Sequence, residues 1–223
     1  MEVLTPEELR VLAVLLEKEA TTPDQYPLTM SALVAGVNQT SNRTPVVAWT
    51  PAQVDEQVRA LRARKLLRVV HASSGGRAER FRHVAHEVWG LTAGELAVLA
   101  VLVLRGPQTV NELTTRTERY HGLDDLGGVE GVLHRLRNRY AEPYVTRLER
   151  APGQREERWA HLLAGEVLNG PELPGAVAPA VGGPRSGGAG GERIVALEAE
   201  VAALRDELAG LRDEFARFRS ELA

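Results

Sequence analysis

The chain has no cysteine, which excludes disulfides and the thiolate ligands of the usual structural zinc sites and leaves it compatible with a reducing cytosol. It also lacks a long apolar run. The longest uninterrupted one, Leu96 to Leu104, is nine residues, far below the roughly 20 that cross a bilayer. The opening MEVLTPEELR has neither the basic start nor the apolar stretch of a signal peptide. No nucleotide-binding glycine loop, nucleophile elbow or HExxH zinc-hydrolase motif occurs. These absences predict a cytoplasmic, non-enzymatic protein with no cofactor and no membrane partner. A strong positive charge is missing too. Lys+Arg against Asp+Glu is 11 and 9 over residues 1–86, 10 and 12 over 87–167, and 6 and 9 over 168–223. Any contact with phosphate must therefore come from local patches rather than from the overall field.

What the chain does contain is repetition. Leu4 to Lys18 recurs as Leu91 to Arg105 with nine identities at an offset of 87, and Gly75 to Val84 recurs as Gly153 to Leu162 with five identities in ten. A duplicated unit follows. In each copy a threonine with a glutamate three residues later (Thr5 and Glu8; Thr92 and Glu95) signals a capping box at a helix start. A second helix begins at Thr29 and at Thr109. A third carries Val54, Val58 and Leu61 on one face, matched by Val129, Val132, Leu133 and Leu136. Two short extended stretches close each copy: Leu67 to Ala72 with Glu79 to Val84, and Tyr144 to Glu149 with Glu156 to Leu162. Three helices and a β-hairpin is the order of a winged helix-turn-helix domain, in which the third helix can enter a DNA major groove and the hairpin is the wing. The expected fold is mainly α with small β-hairpins (α+β), with winged-helix domains at 1–86 and 87–167.

Residues 168–191 are rich in Gly, Pro and Ala and are expected to be a flexible linker. Residues 192–223 follow a heptad pattern, with Ile194, Val201, Leu208 and Phe215 at a and Leu197, Leu204, Leu211 and Phe218 at d. The g residues Arg193, Glu200, Glu207 and Glu214 face e residues Glu198, Arg205, Arg212 and Arg219 of opposite sign, which predicts a parallel coiled-coil homodimer; the two phenylalanines leave a trimer open.

The run LLEKEATTPDQYPLTMSALVAGVNQTSNRTPV (Leu15 to Val46), with LVLRGPQTVNEL and PGQREERWAHLLAGEV further on, resembles the YceH family of bacterial proteins over roughly residues 1–167. That resemblance implies tandem winged-helix domains; it carries no activity with it.

Placed on a helical wheel, the first copy's third helix exposes Ala52, Glu56, Ala60 and Ala63, flanked by Arg59, Gln53 and Gln57, a face poor in charge for a groove reader. The second copy's exposes Gly131, His134, Arg135 and Asn138 with Arg137 and Arg139 beside them. Arginine and asparagine can contact guanine and adenine edges bidentately, which makes this helix the better reader. Arg77 and Arg80 in the first hairpin, and Arg155 and Arg158 in the second, are candidates to reach phosphates. The loop Asn38 to Pro45, with Asn38, Gln39, Asn42 and Arg43, has no match in the second copy. It reads either as a polar ligand or partner site or, more simply, as side chains satisfying an ordered loop. His83, His86 and Glu87 have weak metal-like spacing, and Asp124-Asp125 reads more readily as a helix cap than as an acid/base pair. Double-stranded DNA is the expected partner, with a protein-interaction scaffold as the alternative, since winged-helix folds serve both ends.

Overall fold

The computed structural model describes residues 3–71, 79–120, 127–139, 142–150, 154–165, 167 and 176–177, all within one compact unit spanning Met1–Pro179. Arg77, most of 168–191 and the heptad segment 192–223 lie outside the described residues.

Helix α1 (Pro6–Thr21) starts where the Thr5 side chain accepts from the Glu8 N–H at 3.2 Å and the Glu8 carboxylate accepts from the Thr5 N–H at 2.8 Å, with Pro6 at the first position. Strand β1 (Leu28–Thr29) leads into α2 (Met30–Val37), capped by Thr29. After β2 (Val46–Val47) comes α3 (Pro51–Ala63), whose start is held by a reciprocal Thr50–Gln53 box. Strands β3 (Leu67–Val70) and β4 (Arg80–His83) form an antiparallel hairpin, and β1 adds to the free side of β4, pairing Leu28 with Phe81.

A short helix α4 (Ala85–Trp89), ended by Gly90 at φ 60°, links to the second half. There α5 (Ala93–Arg105), α6 (Val110–Thr117) and α7 (Gly128–Arg137) precede an antiparallel β5 (Val145–Leu148) and β6 (Arg158–His161). Each hairpin strand is shorter than the extended stretch predicted for it.

The duplication extends to individual hydrogen bonds. Val84 N–H donates to the Leu66 carbonyl at 2.9 Å, and Leu162 N–H to that of Tyr144 at 2.8 Å. The Leu28–Phe81 pairing returns as a bridge between Gln108 and Trp159. Arg80 donates to the Pro27 carbonyl and Arg158 to that of Pro107, each at 2.9 Å.

Helices α1 and α5 are buried almost all round, from Leu9 to Leu16 and from Leu96 to Leu104, as expected of helices at the centre of a fold rather than on its surface. They pack on each other, α2 and α3 pack on α1, and α6 and α7 on α5, giving one continuous core. Each fully buried leucine adds about 1.5–3 kcal/mol relative to exposure. Gly36 lets α2 approach closely, since a Cβ there would lie 2.6 Å from Val14 Cγ1. The two halves are further tied by Leu4 N–H to the Leu163 carbonyl at 3.0 Å and Thr44 N–H to the Leu104 carbonyl at 2.8 Å.

The 168–191 segment contributes one described element. Ala176–Val177 form β7, paired antiparallel with β2 as Val46↔Val177 and Val47↔Ala176. A Gly/Pro/Ala-rich stretch offers little side-chain area for a core, but strand pairing needs only backbone N–H and C=O groups. Among the described residues, no helix is long and apolar enough to cross a membrane.

Candidate nucleic-acid interface

On α3, Val54, Val58 and Leu61 are buried, which turns the opposite face outward. The charge there is cancelled within the helix. Arg59, 72% exposed in its side chain, is gripped by Asp55 one turn earlier, with Nε 2.9 Å from Oδ2. Gln53 is committed to the cap, accepting from Thr50 N–H at 2.9 Å, and Gln57 is half-buried.

On α7, Val129, Val132, Leu133 and Leu136 are buried, and His134, Arg135, Arg137 and Asn138 are exposed. Arg135 is 45% exposed with its Nε 3.9 Å from Glu95, a loose ion pair to a carboxylate already used in the Thr92 cap. Asn138 caps the helix, its N–H donating to the His134 carbonyl at 3.0 Å. The His134 ring stands edge-on to Trp159 of β6 at 6.4 Å, which fixes the hairpin against the helix. Arg139 is occupied elsewhere: it donates to the Trp89 carbonyl at 3.1 Å and lies 5.5 Å over the Tyr144 ring.

The hairpin arginines divide. Arg155 is exposed near the tip of the second hairpin. Arg80 and Arg158 hold the Pro27 and Pro107 carbonyls, and Arg158 also lies 3.2 Å from Glu112, so both brace the loop-side end of the paired strands.

The Asn38–Pro45 loop is held by the side chains singled out in it. Asn38 clasps Trp49, donating to its carbonyl and accepting from its N–H, both at 2.8 Å. Gln39 accepts from Lys18 Nζ at 3.2 Å. Asn42 takes a positive φ of 60° and accepts from Arg105. Arg43 does not face solvent. It is 5% exposed, grips Glu17 with contacts of 2.5 and 3.2 Å, and donates to the Gly36 carbonyl at 3.1 Å. Sequence spacing could not show this pairing, because Glu17 lies on another element.

His83 is 1% exposed; its Nε2 is 2.6 Å from Glu19, and its backbone N–H donates to the Tyr26 hydroxyl at 2.7 Å. The His83 hydrogen bond holds the Glu19 carboxyl below its ordinary range, while burial pushes Tyr26 up. His86 sits edge-on to His83 at 5.8 Å, but among the described residues no three His, Asp or Glu side chains gather as metal ligands would. His161, the counterpart of His83, is buried with no acid partner among the described residues, and burial lowers its pKa to about 4. Asp124-Asp125 and His121 lie outside the described residues.

Sequence reading passed over Arg10. It is buried in α1, donates only to the Pro45 carbonyl, and leaves Nε and Nη1 without a partner. Burial, followed by the nearby Arg43 charge, lowers its pKa to about 10. A single arginine inside an otherwise apolar repeat was the available signal.

Comparison with known proteins gives a consistent result. A family model described as protein of unknown function, DUF480, matches residues 4–154. A UPF0502 protein of Geobacter sulfurreducens is 48% identical over 91% of this chain and 90% of its own length. One from Pelobacter propionicus is 48% identical over 74% of each chain, and one from Leptothrix cholodnii 44% identical over 88% of this chain and 85% of its own. With this coverage, and with the motifs at Leu15 to Val46 in place, the chain belongs to the DUF480 family of bacterial UPF0502 (YceH) proteins.

Proposed function

We propose that the protein is a DNA-associated, transcription-regulator-like protein without enzymatic activity, built from two winged helix-turn-helix units in which α3 and α7 are the third helices and the β3–β4 and β5–β6 hairpins the wings. In this reading α7 is the groove reader, and a parallel coiled coil formed by residues 192–223 pairs two copies. The observation that carries it is the outward row on α7, where His134, Arg135, Arg137 and Asn138 are all exposed and the main charges are positive. The dimer is supported by the heptad and charge pattern of the tail. Two copies on one DNA would gain from effective concentration even if each contact is weak.

The test is fluorescence anisotropy of the full chain with mixed-sequence duplex DNA between about 50 and 200 mM salt. Micromolar binding with a steep salt slope is expected, and Arg135→Ala should weaken it by about 1–3 kcal/mol. Absence of binding at the low-salt end would reject the reading. Sedimentation of the full chain against a 1–167 truncation checks the pairing: equal subunit numbers would remove the coiled coil. The second reading, a protein-interaction scaffold, draws on α3, whose outward Arg59 is neutralised by Asp55; pull-down lost on α3 but not α7 substitution would favour it.

A further inference from the structure

Leu16 and Ala20 near the end of α1 line the same cleft as Ala93, Leu96 and Ala97 at the start of α5, so the two central helices run antiparallel and the cleft marks one end of their seam. Its volume is about 230 Å³, and its walls are apolar apart from Glu19, His83 and Tyr120. We propose that this cleft binds a small organic cation: an ammonium group, seated on Glu19, attached to one apolar ring or an aliphatic body of similar size.

Charge decides the class of ligand. Among the described residues, Glu19 is the one carboxylate on the wall, and no lysine or arginine lines it. His83 occupies Oε2; the other oxygen has no hydrogen-bond partner among the described residues. Arg82 and His86 influence Glu19 only through their charge, without an ion pair to it. A carboxylate with a free oxygen beside apolar walls attracts a cation and repels an anion. Calcium and magnesium need several oxygens where the described wall offers one carboxylate, and among the described residues no three His, Asp or Glu side chains gather to hold a zinc-like ion. His83, almost fully buried and with Nδ1 unpartnered, fixes the carboxylate in place. Size selects further: an apolar cavity of about 150 Å³ holds benzene, while drug-sized ligands need about 300 Å³ or more. One ring with a short ammonium arm falls between.

The duplication supplies an internal precedent. At the offset of 87, Ala97 corresponds to Arg10 and Glu19 to Gly106. Arg10 fills its own position with a buried guanidinium that rests on the Pro45 carbonyl of the loop after α2. In the second half the small Ala97 leaves space, the cleft is walled by Tyr120 in the segment after α6, and Glu19 adds an acid. The ligand's cation would take the kind of place that an internal cation takes in the first half. This inference stands apart from the DNA reading, since none of these residues lies on the outward face of α3 or α7.

The test is titration of the full chain with phenethylammonium, phenethyl alcohol and phenylacetate, followed by calorimetry and by amide NMR shifts. Phenethylammonium should bind saturably and shift the amides of Ala93 to Ala97, with the alcohol about tenfold weaker or worse and phenylacetate silent. Glu19→Gln should cost a similar factor, and Ala97→Leu, which fills the cleft from its apolar side, should abolish binding while leaving a cooperative thermal transition. Equal binding of amine and alcohol, retention of affinity in Glu19→Gln, or no saturable shift by about 10 mM amine would overturn the proposal; if Glu19→Gln fails to fold, the amine–alcohol comparison and Ala97→Leu decide it.

Discussion

The two halves repeat each other most closely in the bonds that shape the framework and least in the polar groups along their shared seam. Arg80 and Arg158 hold equivalent proline carbonyls, and the same backbone bonds close both hairpins. Yet His83 has Glu19 while His161 has no acid partner among the described residues, the position matching Glu19 being Gly106. The first half also encloses a buried Arg43–Glu17 pair, for which the second half has no counterpart among the described residues. The lesson is physical. Both pairs are made within the first half, and each depends on an acid of α1 whose counterpart at the offset of 87 carries no charge, Leu104 for Glu17 and Gly106 for Glu19.

The largest effect that would break this comparison is at Arg43. Arg43→Ala leaves the buried Glu17 with only the longer Lys18 contact at 3.6 Å and should cost about 3 kcal/mol in chemical denaturation. Arg119→Ala, on the exposed segment after α6, should stay within about 0.5 kcal/mol. A mild Arg43 variant would mean that the loop is not clamped by this pair.

Next comes pH. Burial lowers the His161 pKa to about 4 from an ordinary 6.5. The unfolded chain takes up this proton near its ordinary value and the folded chain only near the lower one, so stability is full above the unfolded value and declines as pH falls between the two. The loss is on the order of 3 kcal/mol. His161→Phe should flatten the denaturation profile over this window; an unchanged slope would place the proton uptake elsewhere.

A smaller effect tests the close approach of α2. Gly36→Ala must push against Val14 and should cost about 1–3 kcal/mol. At the corresponding helical position in α6, Arg116 is half-buried and paired with Glu112 one turn earlier; Arg116→Ala should cost less than about 1 kcal/mol. Equal losses would show that α2 and α6 lie equally close to their central helices.

Much of this framework was legible because its signals are local. A capping threonine three residues before its glutamate, or an apolar face at helical spacing, is written within one segment, and the helices start at Thr5, Thr29, Thr50, Thr92 and Thr109 accordingly. The pairing of α1 with α5 was not legible, since two apolar helices look alike whether they centre two cores or share one. The partners of Arg43 and Arg10 were not legible either, because Glu17 and Pro45 are brought to them only by the fold. Strand β7 was missed because composition reports on side chains, and its pairing is made by the backbone. For the candidate interface, the wheel positions of His134, Arg135 and Asn138 were readable, but the engagement of Arg59 by Asp55 and of Arg158 by Pro107 was not.

The smallest expected effect discriminates most sharply between the third helices. Arg59 is the most exposed basic residue on α3 in the ion pairs described, and a helix that read DNA through it would have to release it from Asp55. Arg59→Ala should therefore leave both the melting temperature and duplex affinity near the parent values, while Arg135→Ala lowers affinity with little change in melting. If Arg59→Ala instead weakens binding as much as Arg135→Ala, both third helices touch DNA, and the division of labour between the halves lies at their seam rather than at their outer faces.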